Sequence, residues 1–246
     1  MQILREATHL QGDLEMNNRH GAHEYAVALA EASLTIGAIR LSPEKPFLWA
    51  SGYHMPIYND NRMLLSSWES RNLVASAFRL MLEEEDGFDI IAGTATAGIP
   101  HATTLADLLR LPLVYVRSSS KGHGMGNRIE GIASPDDLAA KRLVLVEDLI
   151  STGGSSIAAL NALRECGAEV PLCLAIFSYG LDKAADAFST LDPACRCHPI
   201  LDYNTLIDVA RRRGDIDSEE EKQLRSWRSD PFGWGEKNGF PPKKGE

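Results

Sequence analysis

Leu143-Val144-Leu145-Val146 is an uninterrupted run of Val and Leu. Without polar alternation, such a run predicts a strand covered on both faces, as in a parallel sheet. Glu147 and Asp148 follow at once, so two carboxylates stand at the carboxyl end of that strand. In open α/β sheets this is the end where ligands bind. Leu149-Ile150-Ser151-Thr152-Gly153-Gly154-Ser155 then gives a loop of small hydroxyl residues and two glycines, and it runs into an apolar-periodic helix over 156–163. Such a loop lets backbone N–H groups approach an anion, and the helix start adds favourable partial charge. One end of the predicted site suits hydroxyl groups and the other a phosphate.

A ribose 5-phosphate carries both groups at about that separation. The P-loop pattern G-x-x-x-x-G-K-[ST] is missing from the sequence, and no G-x-G-x-x-G follows a strand. Residues 143–155 instead resemble the phosphoribosyl-pyrophosphate motif of type I phosphoribosyltransferases: four apolar residues, two acids, then a Thr/Ser/Gly loop. The glycines alone would equally suit an ordinary strand–turn–helix with an N-cap serine. Acids, loop and order together make the resemblance specific.

At 246 residues the chain can hold one α/β domain with appendages. Lys and Arg number 25 against 34 Asp and Glu, a net charge of −9, which argues against a general nucleic-acid or anionic-membrane surface. Cys166, Cys173, Cys195 and Cys197 include one close C-x-C pair without a matching partner pair, so zinc is not expected and reduced cytoplasmic thiols are. No signal pattern opens the chain, and no apolar run approaches the ~18 residues of a membrane span.

Residues 1–22 are polar and weakly periodic, an extension of low order. An amphipathic helix is expected over 24–40, ended by Leu41-Ser42-Pro43. The block from Phe47 to Arg62 predicts a hairpin-like hood (45–66) whose Ser51-Gly52 turn offers free N–H groups beside aromatic rings. A flat anionic ligand could stack there, and a solvated hairpin with its aromatics in the core is the plainer alternative. A helix over 67–83, a buried strand over 89–93 and a helix over 102–109 follow, with the small-residue loop Thr94-Ala95-Thr96-Ala97-Gly98 between strand and helix. After a strand over 111–116, residues 117–131 carry four glycines and little to bury, so they predict a mobile loop. Further strands are expected over 170–180 and 198–201, with helices over 182–191, 205–212 and 217–227. The run Arg211-Arg212-Arg213 reads as a helix-end charge cluster. Residues 229–246 form a polar tail that makes a poor core former.

Three motifs in order carry a closer resemblance, over residues 24–228, to orotate phosphoribosyltransferases. The hood F-x-W-x-S-G…P-I-Y-x-D-x-R is similar to their orotate-binding segment. Arg117, Lys121, His123 and Gly124 fall in register on their catalytic loop R-x-x-x-K-x-H-G, and residues 143–155 are the third motif. The resemblance implies a type I phosphoribosyltransferase fold over 23–228, a mostly parallel twisted sheet flanked by helices, with an N-terminal hood and a mobile catalytic loop. It implies transfer of phosphoribosyl from 5-phospho-α-D-ribose 1-diphosphate to orotate, giving orotidine 5′-phosphate and diphosphate. Arg117, Lys121 and His123 would meet the leaving diphosphate from the loop, and Thr96, Ala97 and Gly98 would meet it from below. Glu147 and Asp148 would hold ribose hydroxyls, or water on a Mg²⁺ ion that is shared with substrate and has no direct protein ligand. Leu149, Ile150 and Ser151 continue the motif, and Thr152, Gly153, Gly154 and Ser155 would hold the 5′-phosphate. Ser51, Gly52, Tyr58 and Ser151 would contact orotate. A homodimer that shares its catalytic loops is also implied. Many relatives carry a lysine where Ser118 stands, and some an arginine near Tyr179. The alternatives are another base phosphoribosyltransferase, disfavoured by hood and loop, and a non-catalytic sensor of the diphosphate sugar, disfavoured by the acidic chain.

Overall fold

The computed structural model describes residues 20–83, 85, 87–119 and 128–243. Helix α1 is already helical at residue 20 and ends at 35, with Leu29, Ala30 and Ser33 buried on its inner side. It stops five residues short of the expected end because Gly37 turns left-handed at φ 74° and the following residues are drawn into a strand. That strand, β1 (Ile39–Leu41), begins the hood. β2 (Phe47–Leu48) and β3 (His54–Met55) make a short antiparallel hairpin, while β4 (Ile57–Asn59) returns to pair with β1. The Arg40 guanidinium lies over the Phe47 and Tyr58 rings at 5.1 and 4.8 Å and ties the two small sheets together. A 3₁₀ turn over Asn61–Ser66 leads to α2 (Trp68–Leu82), which is capped by the Ser67 side chain.

The main sheet follows. β5 (Ile90–Thr94) runs into α3 (Gly98–Leu109), then β6 (Leu113–Val116), β7 (Ile129–Glu130), β8 (Arg142–Ile150), α4 (Gly154–Glu165), β9 (Glu169–Ser178), α5 (Asp182–Ser189) and β10 (Arg196–Asp202). The strand order is β10-β9-β8-β5-β6-β7, parallel except for β7 at one edge. The expected α/β architecture is therefore present. Along β8, Val144 and Val146 enter the core under α2 and α3, while Leu143 and Leu145 enter the core under α4. Burial on both faces is what the absence of polar alternation in this segment required.

From β5 the chain builds β6 to one side, then crosses back to place β8, β9 and β10 on the other. The order thus reverses between β5 and β8, and the crevice outside their carboxyl ends is the place such a sheet offers a ligand. Helices α6 (Tyr203–Arg213), α7 (Ser218–Ser229) and α8 (Trp234–Lys237) complete the described chain. The charge cluster ending α6 is used locally: Arg213 bonds the Glu31 carbonyl at 2.8 Å and Asp215 at 2.8 Å. The tail corrects an expectation, since Trp234 is 2 % exposed and joins the core. One large aromatic outweighs the polar composition around it.

Candidate active site

Pairing between β5 and β8 ends at Gly93 and Val146, whereas β8 continues against β9 as far as Ile150. The strand is longer than expected, and Glu147 and Asp148 stand within it along the edge that β5 has left. The loops after β5 and β8 diverge from this point and enclose a cavity of about 350 Å³. Ala95, Thr96, Ala97, Glu147, Asp148, Leu149 and residues 151–155 line it. Most of the residues expected to bind the phosphoribosyl end are thus brought together. Gly98 and Arg117 do not line it, and neither does Ile150, whose side chain is 1 % exposed among the core residues under α4.

Adjacent residues of a strand start out on opposite sides, so the two acids have different surroundings although both line the cavity and their carboxyls meet. Glu147 is 5 % exposed. Its Oε1 accepts the Thr94 hydroxyl at 2.6 Å and the Asp148 N–H at 3.0 Å, and its Oε2 accepts the hydroxyls of Ser156 at 3.0 Å and Ser155 at 3.4 Å. A buried carboxylate needs such donors, and four of them tie β5, β8 and α4 into one unit. Asp148 has no hydroxyl donors of that kind, only the backbone N–H groups of Asp148 and Leu149, which pull its pKa down by less than the other influences raise it. Burial, then the hydrogen-bonded and like-charged Glu147, push its carboxyl up from 3.8 to about 7. Asp148 is therefore the acid whose charge awaits a partner.

The anion cradle lies on either side. Gly153, at φ 82°, opens α4 with no side-chain cap, which leaves the first-turn N–H groups directed at the cavity. Across the crevice, α3 starts four residues earlier than expected, because Gly98 lets its first turn press against β8. A Cβ at Gly98 would stand 2.5 Å from Thr94 Oγ1 and 2.6 Å from the Val146 carbonyl oxygen.

A second cavity of about 330 Å³, largely apolar, is lined by Leu48, Trp49, Ala50, Ser51, Tyr58, Asn59, Leu149 and Tyr179. Leu149 borders both cavities, so an aromatic-walled slot adjoins the hydroxyl-and-phosphate site. Trp49 packs on Tyr179 at 5.5 Å between ring centroids. The Asn61 side-chain amide donates to the Asp148 carbonyl at 2.6 Å and fastens the hood to the motif strand. Ser51 and Tyr58 stand in the expected wall. Gly52 does not offer a free N–H, because that group closes the hairpin turn on the Trp49 carbonyl at 2.9 Å. A larger cavity of about 520 Å³ lies beside Glu169 and Pro193–Ala194, at the amino ends of β9 and β10, away from both acids.

Arg117 follows β6 at the cradle's edge. The neighbouring Val116 carbonyl accepts the Ala95 N–H at 2.8 Å, while Arg117 itself pairs with Arg128 through the backbone and with Glu130 at 3.5 Å. These contacts form the stem of the expected catalytic loop. Lys121, His123 and Gly124 lie outside the described residues.

The phosphoribosyl transferase domain family matches residues 66–207. A curated orotate phosphoribosyltransferase of Halalkalibacterium halodurans is 47 % identical over 204 residues, covering 82 % of this chain and 94 % of the relative. The chain belongs to the orotate phosphoribosyltransferase family. Among solved structures, an orotate phosphoribosyltransferase from Aeropyrum pernix aligns with TM-score 0.63 and 28 % identity, covering 77 % of this chain and 99 % of that one. The UMP synthase of Leishmania donovani aligns with TM-score 0.68 and 28 % identity over 83 % of this chain, which spans 42 % of that longer protein.

Within this family member, sequence reading passed over Thr94, Ser156, Asn61, Trp49 and Tyr179 as site residues. Thr94 and Ser156 support Glu147 rather than a ligand, and nothing in their spacing marks them. Tyr179 stood at a strand's carboxyl end, and that position was the available signal. It is 1 % exposed, and burial pushes its phenol well above the ordinary range, so it remains a neutral wall of the slot.

Proposed function

We propose that this chain transfers the phosphoribosyl group of 5-phospho-α-D-ribose 1-diphosphate to orotate, releasing diphosphate and forming orotidine 5′-phosphate. The observation that carries this reading is the pair of cavities meeting at Leu149 across the sheet's reversal point. One is lined by acids, hydroxyls and backbone amides, the other by aromatic rings. A sugar phosphate joined to a flat base needs these two environments side by side.

In this reading the α4 N-terminus with Thr152–Ser155 holds the 5′-phosphate, and the amides of Thr96–Gly98 receive the diphosphate. Asp148 faces the ribose hydroxyls and stabilises positive charge as the bond to diphosphate lengthens. Glu147 keeps β5, β8 and α4 in register beneath it. Trp49, Tyr58 and Tyr179 wall the slot that takes the base, with Ser51 and Ser151 in reach of its polar edge. Arg117, Lys121 and His123 balance the growing charge on the leaving group, and closure of their loop excludes water that would otherwise hydrolyse the sugar. Reach of that loop into a second copy's site makes the working unit a homodimer.

The site suits Mg²⁺ held chiefly by substrate. Among the described residues no cluster of three or more His, Cys, Asp or Glu side chains could hold a metal, and Glu147 is already engaged by four donors. Asp148, which burial and Glu147 push towards its neutral form, would gain from a nearby cation and would hold the ion, directly or through water. When bound, the ion neutralises the diphosphate and improves it as a leaving group. The test is the loss of orotate absorbance on adding the diphosphate sugar and Mg²⁺ to purified protein. Turnover of a purine base with orotate untouched, or sugar binding without turnover of any base, would overturn the assignment.

A further inference from the structure

The wall of the aromatic slot is built from a hairpin too short to hold its own shape. β2 and β3 share two residue pairs, and an isolated two-stranded hairpin is marginal in water. The end of the chain backs it. The Lys243 N–H donates to the Gly52 carbonyl at 2.9 Å, and the Pro241 carbonyl accepts from His54 Nδ1 at 3.1 Å. Phe232 meets Tyr53 edge to face at 5.3 Å. Phe240 stacks on the buried Trp234 ring and lies 6.1 Å from His54. At the segment's start, the Asp230 carboxylate takes the Lys237 ammonium at 2.6 Å and the Gly233 N–H at 3.1 Å, which folds the segment towards the hood. The fit is close: a Cβ at Gly52 would strike the Lys243 carbonyl oxygen, and one at Gly235 would stand 3.1 Å from the His54 carbonyl oxygen.

We propose that residues 232–243 are a strap that positions the base-binding wall, so that affinity for the base depends on the far end of the chain. The strap touches Gly52, Tyr53 and His54, whereas the slot is lined by their neighbours Trp49, Ala50 and Ser51. It therefore acts through the turn and never meets the ligand. The phosphoribosyl cavity, on the other side of Leu149, has no such dependence. This inference deepens the orotate reading and rests on it.

A chain ending at Gly239 keeps Trp234 in the core and removes Phe240, Pro241 and Lys243. Phe240→Ala in the full chain is the milder companion, and Phe240→Tyr, which keeps the ring, restores normal behaviour. KM for orotate should rise roughly tenfold in the shortened chain, the scale of one or two lost ordering hydrogen bonds. KM for the diphosphate sugar and kcat should stay within about twofold. Hydrogen exchange should quicken at the amides of residues 49–55 and stay unchanged along β5 and β8. Unchanged orotate KM overturns the proposal, as does an equal rise in both KM values with protection lost throughout the sheet. If the full chain consumes no orotate, the parent reading fails by itself. Exchange at residues 49–55 then still decides the strap, and equal exchange with and without residues 240–246 refutes it.

Discussion

Replacing Asp148 by asparagine separates what this residue costs the free fold from what it contributes to the reaction. In the folded chain its carboxyl is pushed from 3.8 to about 7 by burial and by Glu147. A group whose folded value is raised keeps a proton that the unfolded chain releases, so stability is lost as pH climbs from about 4 to about 7 and stays lost above. At about 1.36 kcal/mol per pH unit, the separation corresponds to roughly 4 kcal/mol at pH 8, or about half that once water at the open mouth of the cavity is allowed for. Asparagine resembles the protonated acid, since its amide can donate to Glu147 where the acid's proton does. The variant should therefore melt several degrees higher than the parent at pH 8, at about 2–4 °C per kcal/mol for a chain of this size, and the gap should narrow towards pH 4. Activity should fall about 10²–10³-fold, because the charge opposite the developing ribose cation is gone. Thermal melts of both proteins from pH 4 to 8, beside kcat/KM, test both halves. Equal melting temperatures at pH 8 would show that the site does not penalise the carboxylate, and unchanged kcat/KM in a folded variant would remove Asp148 from the reaction.

Thr94→Val removes the 2.6 Å donor to buried Glu147 and should cost about 1–3 kcal/mol, read as a lower melting temperature; no loss would mean that the remaining donors suffice. Gly98→Ala forces the first turn of α3 off β8 and should cost about 1–3 kcal/mol together with most of the affinity for the diphosphate sugar, measurable by calorimetry. Lys121→Ala should lower kcat by on the order of a hundredfold with KM little changed, and Ser118→Ala should do far less; a raised KM at full kcat would make Lys121 a ground-state contact. If the loop serves a neighbouring subunit, mixing Lys121→Ala and Asp148→Asn chains should recover activity, and none after verified subunit exchange would show that each site belongs to one chain.

The sheet and its helices were legible because their signals are local. An aliphatic run over 143–146 can satisfy itself in few ways other than a strand covered on both faces, and the structure covers it so. Boundaries were less legible where a distant partner decides them. β8 extends to Ile150 because β9 continues beside it, and α3 begins at Gly98 because that glycine can press on Val146. Neither neighbour is near in sequence. The hood's place was readable from its aromatics, but the engagement of the Gly52 N–H inside its own turn was not, since a free N–H and a paired one have the same sequence.

The two acids show most clearly where a sequence pattern stops short of roles. Written side by side, Glu147 and Asp148 invite one shared function. A strand, however, turns successive side chains to opposite faces, so residues this close cannot both face the ligand in the same way. The one turned towards α4 meets three hydroxyls and a backbone N–H and becomes a buried strut. Its neighbour, with two backbone N–H donors but no hydroxyls to offset burial and a like charge, carries the electrostatic strain that a cationic transition state relieves. The hydroxyls decide which acid is which: Thr94 comes from another strand and Ser155 and Ser156 from the next helix. The division of labour is therefore set by the packing of β5, β8 and α4.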